Sequence, residues 1–193
     1  MADPTISSEL RVDAATAAKR LLGAELISTI DGKKVSAIIV ETEAYDQTDA
    51  ASHSYRGQTE RTKVMFGPSG FLYVYFTYGM HYCANIVVGQ AGEGAAVLIR
   101  AVEPQSGWDY IKERRGGKPD HELTNGPAKT CQALGINKSN YGHDLSKAPI
   151  RLKLHPPVEA QNVVTTTRIG ISEAKDVPWR FYIKDNPYVS KTV

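Results

Sequence analysis

Apolar and polar positions alternate along most of the chain in short runs separated by glycine- and proline-bearing turns, and three stretches have helical character instead. In the first of these, Asp13 is a capping residue, 14–22 is rich in helix formers and Gly23 supplies a stop, so a helix is predicted over 14–22. Residues 25–30 and 33–45 follow as two strands joined at Asp31-Gly32. The densest aromatic run, 71–80, reads Phe-Leu-Tyr-Val-Tyr-Phe-Thr-Tyr-Gly-Met. Strict alternation puts Phe71, Tyr73 and Tyr75 on one face and Leu72, Val74 and Phe76 on the other, which predicts a strand buried on both sides. Gly79 permits a tight turn and 82–88 is rich in β-formers, so the two runs predict a hairpin with Tyr78 at or near its tip.

Residues 95–102 read as a buried strand stopped by Pro104. Ser106 to Asp109 has the spacing of a capping box and opens a helix ending near Arg115-Gly116-Gly117, with a basic linker to Asp120. Asn125, Pro127 and Gly135 mark the cap, first turn and stop of another helix. Short runs at 150–154, 165–171 and 179–183 supply the remaining strands. The predicted fold class is α+β: one mixed domain over 1–193 around a curved, mainly antiparallel sheet, with a protruding β-hairpin, flanking helices and a flexible segment at 1–10.

Composition narrows the function classes. The first ten residues contain no apolar leader, and no apolar run is long enough to span a bilayer, so a soluble, intracellular, non-secreted protein is expected. In a bacterium it would work in the cytoplasm or nucleoid, in a eukaryote in the nucleus. Cys83 and Cys131 lie in apolar segments as reduced core residues, and the five histidines lack ligand spacing, so no zinc site is expected. The net charge of +2 is uneven: residues 1–50 carry −4 and residues 51–193 carry +6. That distribution permits a basic face toward a polyanion.

Candidate chemistry sits on the second strand. With extended backbone through 40–45, Glu41, Glu43 and Tyr45 share one face and Ile38, Val40, Thr42 and Ala44 the other. Two readings are open: an edge strand with a solvated polar face, or partly desolvated carboxylates suited to act as a base toward water. Arg100, inside the run 95–102, needs a carboxylate or phosphate partner, and the glutamate strand offers one. The loop 46–70 adds His53 and three cationic residues, Arg56, Arg61 and Lys63, whose charges are either solvated or aimed at phosphates. Gly126 and Lys129 are further candidates for holding a phosphate oxygen. A tyrosine at a hairpin tip is either a surface residue or a wedge entering a base stack.

Glu41-Thr-Glu-Ala-Tyr45, His53-Ser54, Met65-Phe66, Tyr73-Val-Tyr75, Tyr78-Gly-Met80, Asn85, Val97-Leu-Ile-Arg-Ala101 with Glu103-Pro104, and Gly126-Pro-Ala-Lys-Thr-Cys-Gln-Ala-Leu134 occur in this order. Together they resemble the alkyladenine DNA glycosylase family, also called 3-methyladenine or N-methylpurine DNA glycosylases, from about Leu21 to Tyr188. The resemblance implies a single mixed domain around a curved antiparallel sheet, with no metal or cofactor. It makes Glu43 the general base for the attacking water and gives Arg100 a share in holding that water. Tyr45, His53 and Tyr75 would sandwich an extruded purine, with Asn85 and Leu98 as pocket and wall. Tyr78 would fill the gap in the duplex and Met80 would lie beside it in the minor groove. The chain lacks the long amino-terminal extension of vertebrate members, and its loop from Tyr45 to His53 is shorter than in some.

The implied activity is base-excision repair: flipping alkylated or deaminated purines (3-methyladenine, 7-methylguanine, hypoxanthine, ethenoadenine) from duplex DNA and hydrolysing the N-glycosidic bond, leaving an abasic site. A monofunctional, monomeric enzyme acting on double-stranded DNA and no membrane is expected. The alternative is a non-catalytic module that binds damaged DNA through the same purine pocket. A carbohydrate hydrolase using Glu41 and Glu43 as its pair ranks below both, because neighbours on one strand face cannot flank a sugar from opposite sides.

Overall fold

Four helices and eight strands, all paired antiparallel, make up the described part of the computed structural model, residues 6–77 and 79–190. In chain order these are α1 (Ile6–Glu9), α2 (Ala14–Leu21), β1 (Glu25–Ser28), β2 (Val35–Tyr45), β3 (Leu72–Thr77), β4 (His81–Val88) and β5 (Ala95–Ser106), followed by α3 (Trp108–Arg115), α4 (Pro127–Leu134), β6 (Ile150–Lys153), β7 (Val163–Thr166) and β8 (Arg180–Ile183). The sheet order is β3-β4-β5-β2-β1-β6; β8 joins β2 beyond the end of β1 and carries β7 on its other side. The result is one mixed α+β domain. Leu10, next to α1, is fully buried and its carbonyl accepts the Gly89 N–H. Among the described residues no helix is long and apolar enough to cross a membrane.

Local rules account for α2. The Asp13 carboxylate accepts the Thr16 N–H at 2.9 Å, and that bond holds the carboxyl below its usual range. Its alanine face packs against the sheet, where Thr42 donates its hydroxyl to the Ala18 carbonyl.

The glutamate strand departs from simple alternation. Core-facing positions are Val35, Ala37 and Ile39 in its first half, but Thr42 and Ala44 in its second, so Ile38 and Val40 do not share the face expected of them. The register against β5 shifts on both sides of Glu41, which marks an irregularity there. Had the first-half parity continued, Glu41 and Glu43 would have pointed into the apolar core. The shift turns them to the opposite face.

Several boundaries differ from those the sequence suggests. β5 continues through Pro104 to Ser106, because β4 pairs with it only at Ala95–Leu98 and Pro104 lies beyond that ladder. The Val102 N–H, two residues earlier on the same edge, already bonds to Thr124 outside the sheet. Ser106 is a strand residue bonded to Ser36, so no capping box forms; Gly107 caps α3 with φ +76. The cap of α4 is Gly126, not Asn125. Strand structure ends at Thr166, and 167–172 turns toward the sheet as irregular chain. In β3 the expected double burial fails at Phe76, which is 52% exposed because the hairpin outruns the sheet: at His81–Ala84, β4 has only β3 beside it.

A Cβ at Gly107 would stand 2.4 Å from the Lys34 carbonyl oxygen, at a left-handed φ. Gly107→Ala is therefore expected to cost about 3 kcal/mol or more. Urea denaturation measures this, and an unchanged midpoint would contradict the packing described.

Candidate active site

β2 and β5 bring the charged groups together. Glu41 and Glu43 are both fully buried, and the Arg100 guanidinium reaches across to both: Nε lies 3.3 Å from Glu41 Oε1 and Nη1 lies 3.3 Å from Glu43 Oε1. The partner expected for Arg100 is thus the glutamate pair itself. Glu41 is saturated, accepting from Arg180 Nε at 2.6 Å and from the Ser190 N–H and hydroxyl at 2.7 and 2.8 Å. Two carboxylates and two guanidiniums balance to zero net charge, the condition under which buried ions persist.

Glu43 is held differently. Its Oε1 accepts the Ile169 backbone N–H at 2.9 Å and its Oε2 accepts the Tyr45 hydroxyl at 2.8 Å. Burial, then the Glu43 charge, raise the Tyr45 phenol far above its ordinary range, so it stays a donor. The carboxylate lines a cavity of about 520 Å³, within the range of small-molecule sites. Tyr45, His53, Tyr73, Tyr75, Asn85 and Leu98 line it too. These residues come from β2 to β5 and the loop 46–70: odd-numbered positions of β3 and β4 line up with Leu98 and Arg100 of β5 along one side of the cavity.

His53 is fixed against the aromatic strand. Its Nδ1 lies 2.9 Å from the Tyr73 hydroxyl, and its ring meets Tyr75 edge-on at 4.6 Å. Partial desolvation against these rings, and secondarily the Arg61 charge, lower the imidazole pKa to about 4, although His53 keeps an exposed edge. Burial pushes the Tyr73 phenol up to about 12 and the Tyr75 phenol further. The aromatic wall is therefore uncharged near neutrality. Asn85 donates its amide to the Tyr73 carbonyl at 3.1 Å, which fixes the orientation of its side chain against the cavity.

The remaining candidates separate. Tyr78 lies outside the described residues. Met80 is 70% exposed at the hairpin tip and borders a second groove, away from the main cavity. Lys63 pairs with Glu60 at 2.9 Å on the surface, whereas Arg61 lines the cavity. Lys129 donates to Asn125 at 2.7 Å, and Gly126 caps α4, whose first residue, Pro127, borders the cavity. Among the described residues no group of three or more His, Cys, Asp or Glu side chains is placed to hold a metal.

Sequence reading missed four contributors. Arg180 and Arg168 are buried arginines in the carboxy-terminal third. Arg168 forms an ion pair with Asp49, donates to the Ala44 carbonyl at 2.9 Å and lies 4.7 Å from the Tyr45 ring centroid, so it ties the loop after β2 to the segment 167–172. Burial opposes its charge, but the Asp49 partner outweighs this and raises the guanidinium pKa. Ile169 acts through its backbone N–H, which no residue identity announces, and Ser190 through its N–H and its hydroxyl. Arg180, a charge on an apolar strand, carried the same signal as Arg100.

A buried, oriented carboxylate facing a cavity with neutral aromatic walls can take a proton from water beside a planar ring system. Comparison with known proteins gives the chain a family. A family model described as "Methylpurine-DNA glycosylase (MPG)" matches residues 8–187. A protein of Carboxydothermus hydrogenoformans, named "Putative 3-methyladenine DNA glycosylase", is 53% identical over 180 residues, 93% of this chain and 94% of its own. Proteins of the same name from Nitrosospira multiformis and Methanoculleus marisnigri are 45% and 46% identical, covering 99% and 93% of this chain and 95% and 94% of theirs.

Because the folded-state pKa of His53 lies below its ordinary value, protonation favours the unfolded chain. Its contribution to stability is present above pH 6.5 and is lost as the pH falls from 6.5 toward 4. An NMR titration of the imidazole should show a midpoint near 4; a midpoint at or above 6.5 would contradict the packing of the aromatic wall.

Proposed function

The chain belongs to the methylpurine-DNA glycosylase family, hydrolases of N-glycosyl bonds in DNA that serve repair, and from that premise we propose that Glu43 is the general base of a monofunctional enzyme acting on damaged purines. The observation that carries this reading is the Glu43 carboxylate at the cavity wall, fully buried, with Arg100, Tyr45 and the Ile169 N–H fixing its two oxygens.

A purine inside a duplex is out of reach of such a cavity, so the nucleotide must rotate out, at a cost of roughly a few kcal/mol. Tyr78 offsets part of that cost by stacking in the vacated space. The base enters between Tyr45 and the His53–Tyr75 edge, and stacking on aromatic walls is worth on the order of 1–3 kcal/mol per base. Lesions with weakened pairing are captured first, which selects alkylated and deaminated purines before any bond breaks. Asn85, fixed against the cavity, discriminates among the exocyclic groups of the base.

Glu43 then takes a proton from water as its oxygen bonds to the sugar C1′. The bond from C1′ to the base nitrogen breaks, and its electron pair leaves with the base. Arg100 balances the carboxylate throughout and keeps it from turning toward Glu41. Among the described residues no lysine lines the cavity, which supports attack by water and not by an amine, and hence an abasic product with no strand cleavage. The enzyme works as a monomer on duplex DNA.

Single-turnover release of hypoxanthine, 1,N6-ethenoadenine or 7-methylguanine from duplex oligonucleotides tests the proposal. Glu43→Gln should keep lesion binding and lose about 10²–10⁴-fold in rate. Wild-type rates in that variant would overturn the assignment of the base, and a covalent adduct trapped by borohydride would overturn monofunctional hydrolysis.

A further inference from the structure

We propose that Arg61 is a specificity-determining residue, whose guanidinium favours excision of uncharged purines over cationic ones. The inference rests on the reading of the main cavity as a purine pocket. Arg61 shares the cavity lining with Glu43, Tyr45 and Asn85, and its guanidinium carbon stands 5.6 Å from the centroid of the Tyr75 ring. Its charge also reaches the other two members of the aromatic wall, lowering the His53 imidazole and opposing the upward shift of the Tyr73 phenol. Among the described residues no carboxylate lies within ion-pair distance of Arg61. Nearby Lys63, by contrast, is paired with Glu60. The other guanidinium of the cavity, Arg100, is shared between two glutamates. Arg61 is thus the cation whose field the protein leaves free to act on an occupant of the cavity.

One fixed charge has opposite effects on the two classes of lesion. A neutral purine takes the electron pair of the breaking C–N bond and gathers negative charge as it leaves, so a guanidinium at the wall lowers that barrier. A purine alkylated at a ring nitrogen is already a cation, and the same guanidinium opposes its entry. Arg61 lies on the exposed side of the cavity, where solvent attenuates its field, so the combined effect is modest. The role also eases release of bases that are poor leaving groups: the positive charge substitutes in part for a proton.

The test compares wild type, Arg61→Gln and Arg61→Lys on duplexes carrying ethenoadenine, which is neutral, and 7-methylguanine, held cationic in mildly acidic buffer. The readout is the single-turnover rate divided by the half-saturating enzyme concentration. In Arg61→Gln the ratio of ethenoadenine to 7-methylguanine excision should fall about tenfold. Arg61→Lys, which keeps the charge, should retain most of the ratio. Parallel losses on both lesions with a shallower salt dependence would mark Arg61 as a phosphate contact and overturn the proposal, as would an unchanged ratio. Absence of release from either duplex by the wild type would instead refute the glycosylase reading, so the two failures are distinguishable.

Discussion

The ion pairs of Arg100 with Glu41 and Glu43 are what the rest of the site depends on. A single buried carboxylate beside an apolar core is costly, and two side by side repel each other. Arg100 bridges them, and Arg180 supplies the second positive charge through Glu41, so the cluster is neutral as a whole. The division of labour follows from hydrogen bonding. Glu41 spends its acceptor capacity on Arg180 and Ser190 and serves as an anchor, whereas Glu43 keeps a side toward the cavity. Removing either arginine would leave an uncompensated buried charge, which makes the cluster a constraint on folding as well as on chemistry.

That cluster forms only because the strands are irregular where it sits. β2 presents odd-numbered residues to the core before Glu41 and even-numbered ones after it, with the register against β5 shifting at the same place. A bulge beside an active site re-aims side chains that a regular strand would bury. The sheet thus uses one strand for two tasks: its first half packs under the helices and its second half carries Glu41, Glu43 and Tyr45.

Much of this was legible in the sequence, and the omissions have physical causes. Glu41, Glu43 and Tyr45 were correctly assigned to one face, because alternation holds locally beyond the bulge; Ile38 and Val40 were misassigned because a bulge leaves no mark in residue identity. The need for a partner to Arg100 followed from a charge in an apolar run. The same argument, applied to Arg180 in β8, would have completed the cluster. Ile169 could not be found that way: its contribution is a backbone N–H, placed by irregular chain where the pattern suggested a strand. The hairpin was foreseen from its aromatics and glycine, but the exposure of Phe76 depends on where the pairing of β4 with β5 stops, which is a tertiary fact.

In the proposed geometry the sugar of an extruded nucleotide meets water held by the Glu43 carboxylate while its base lies against the aromatic wall. A crystal structure of the Glu43→Gln variant on a duplex containing ethenoadenine tests this most directly. The base is expected in the cavity between Tyr45 and His53, Tyr78 in the duplex gap, and C1′ roughly 3–3.5 Å from a water bound to the substituted side chain. A base still stacked in the duplex over an empty cavity, or a C1′ turned away from position 43, would contradict it.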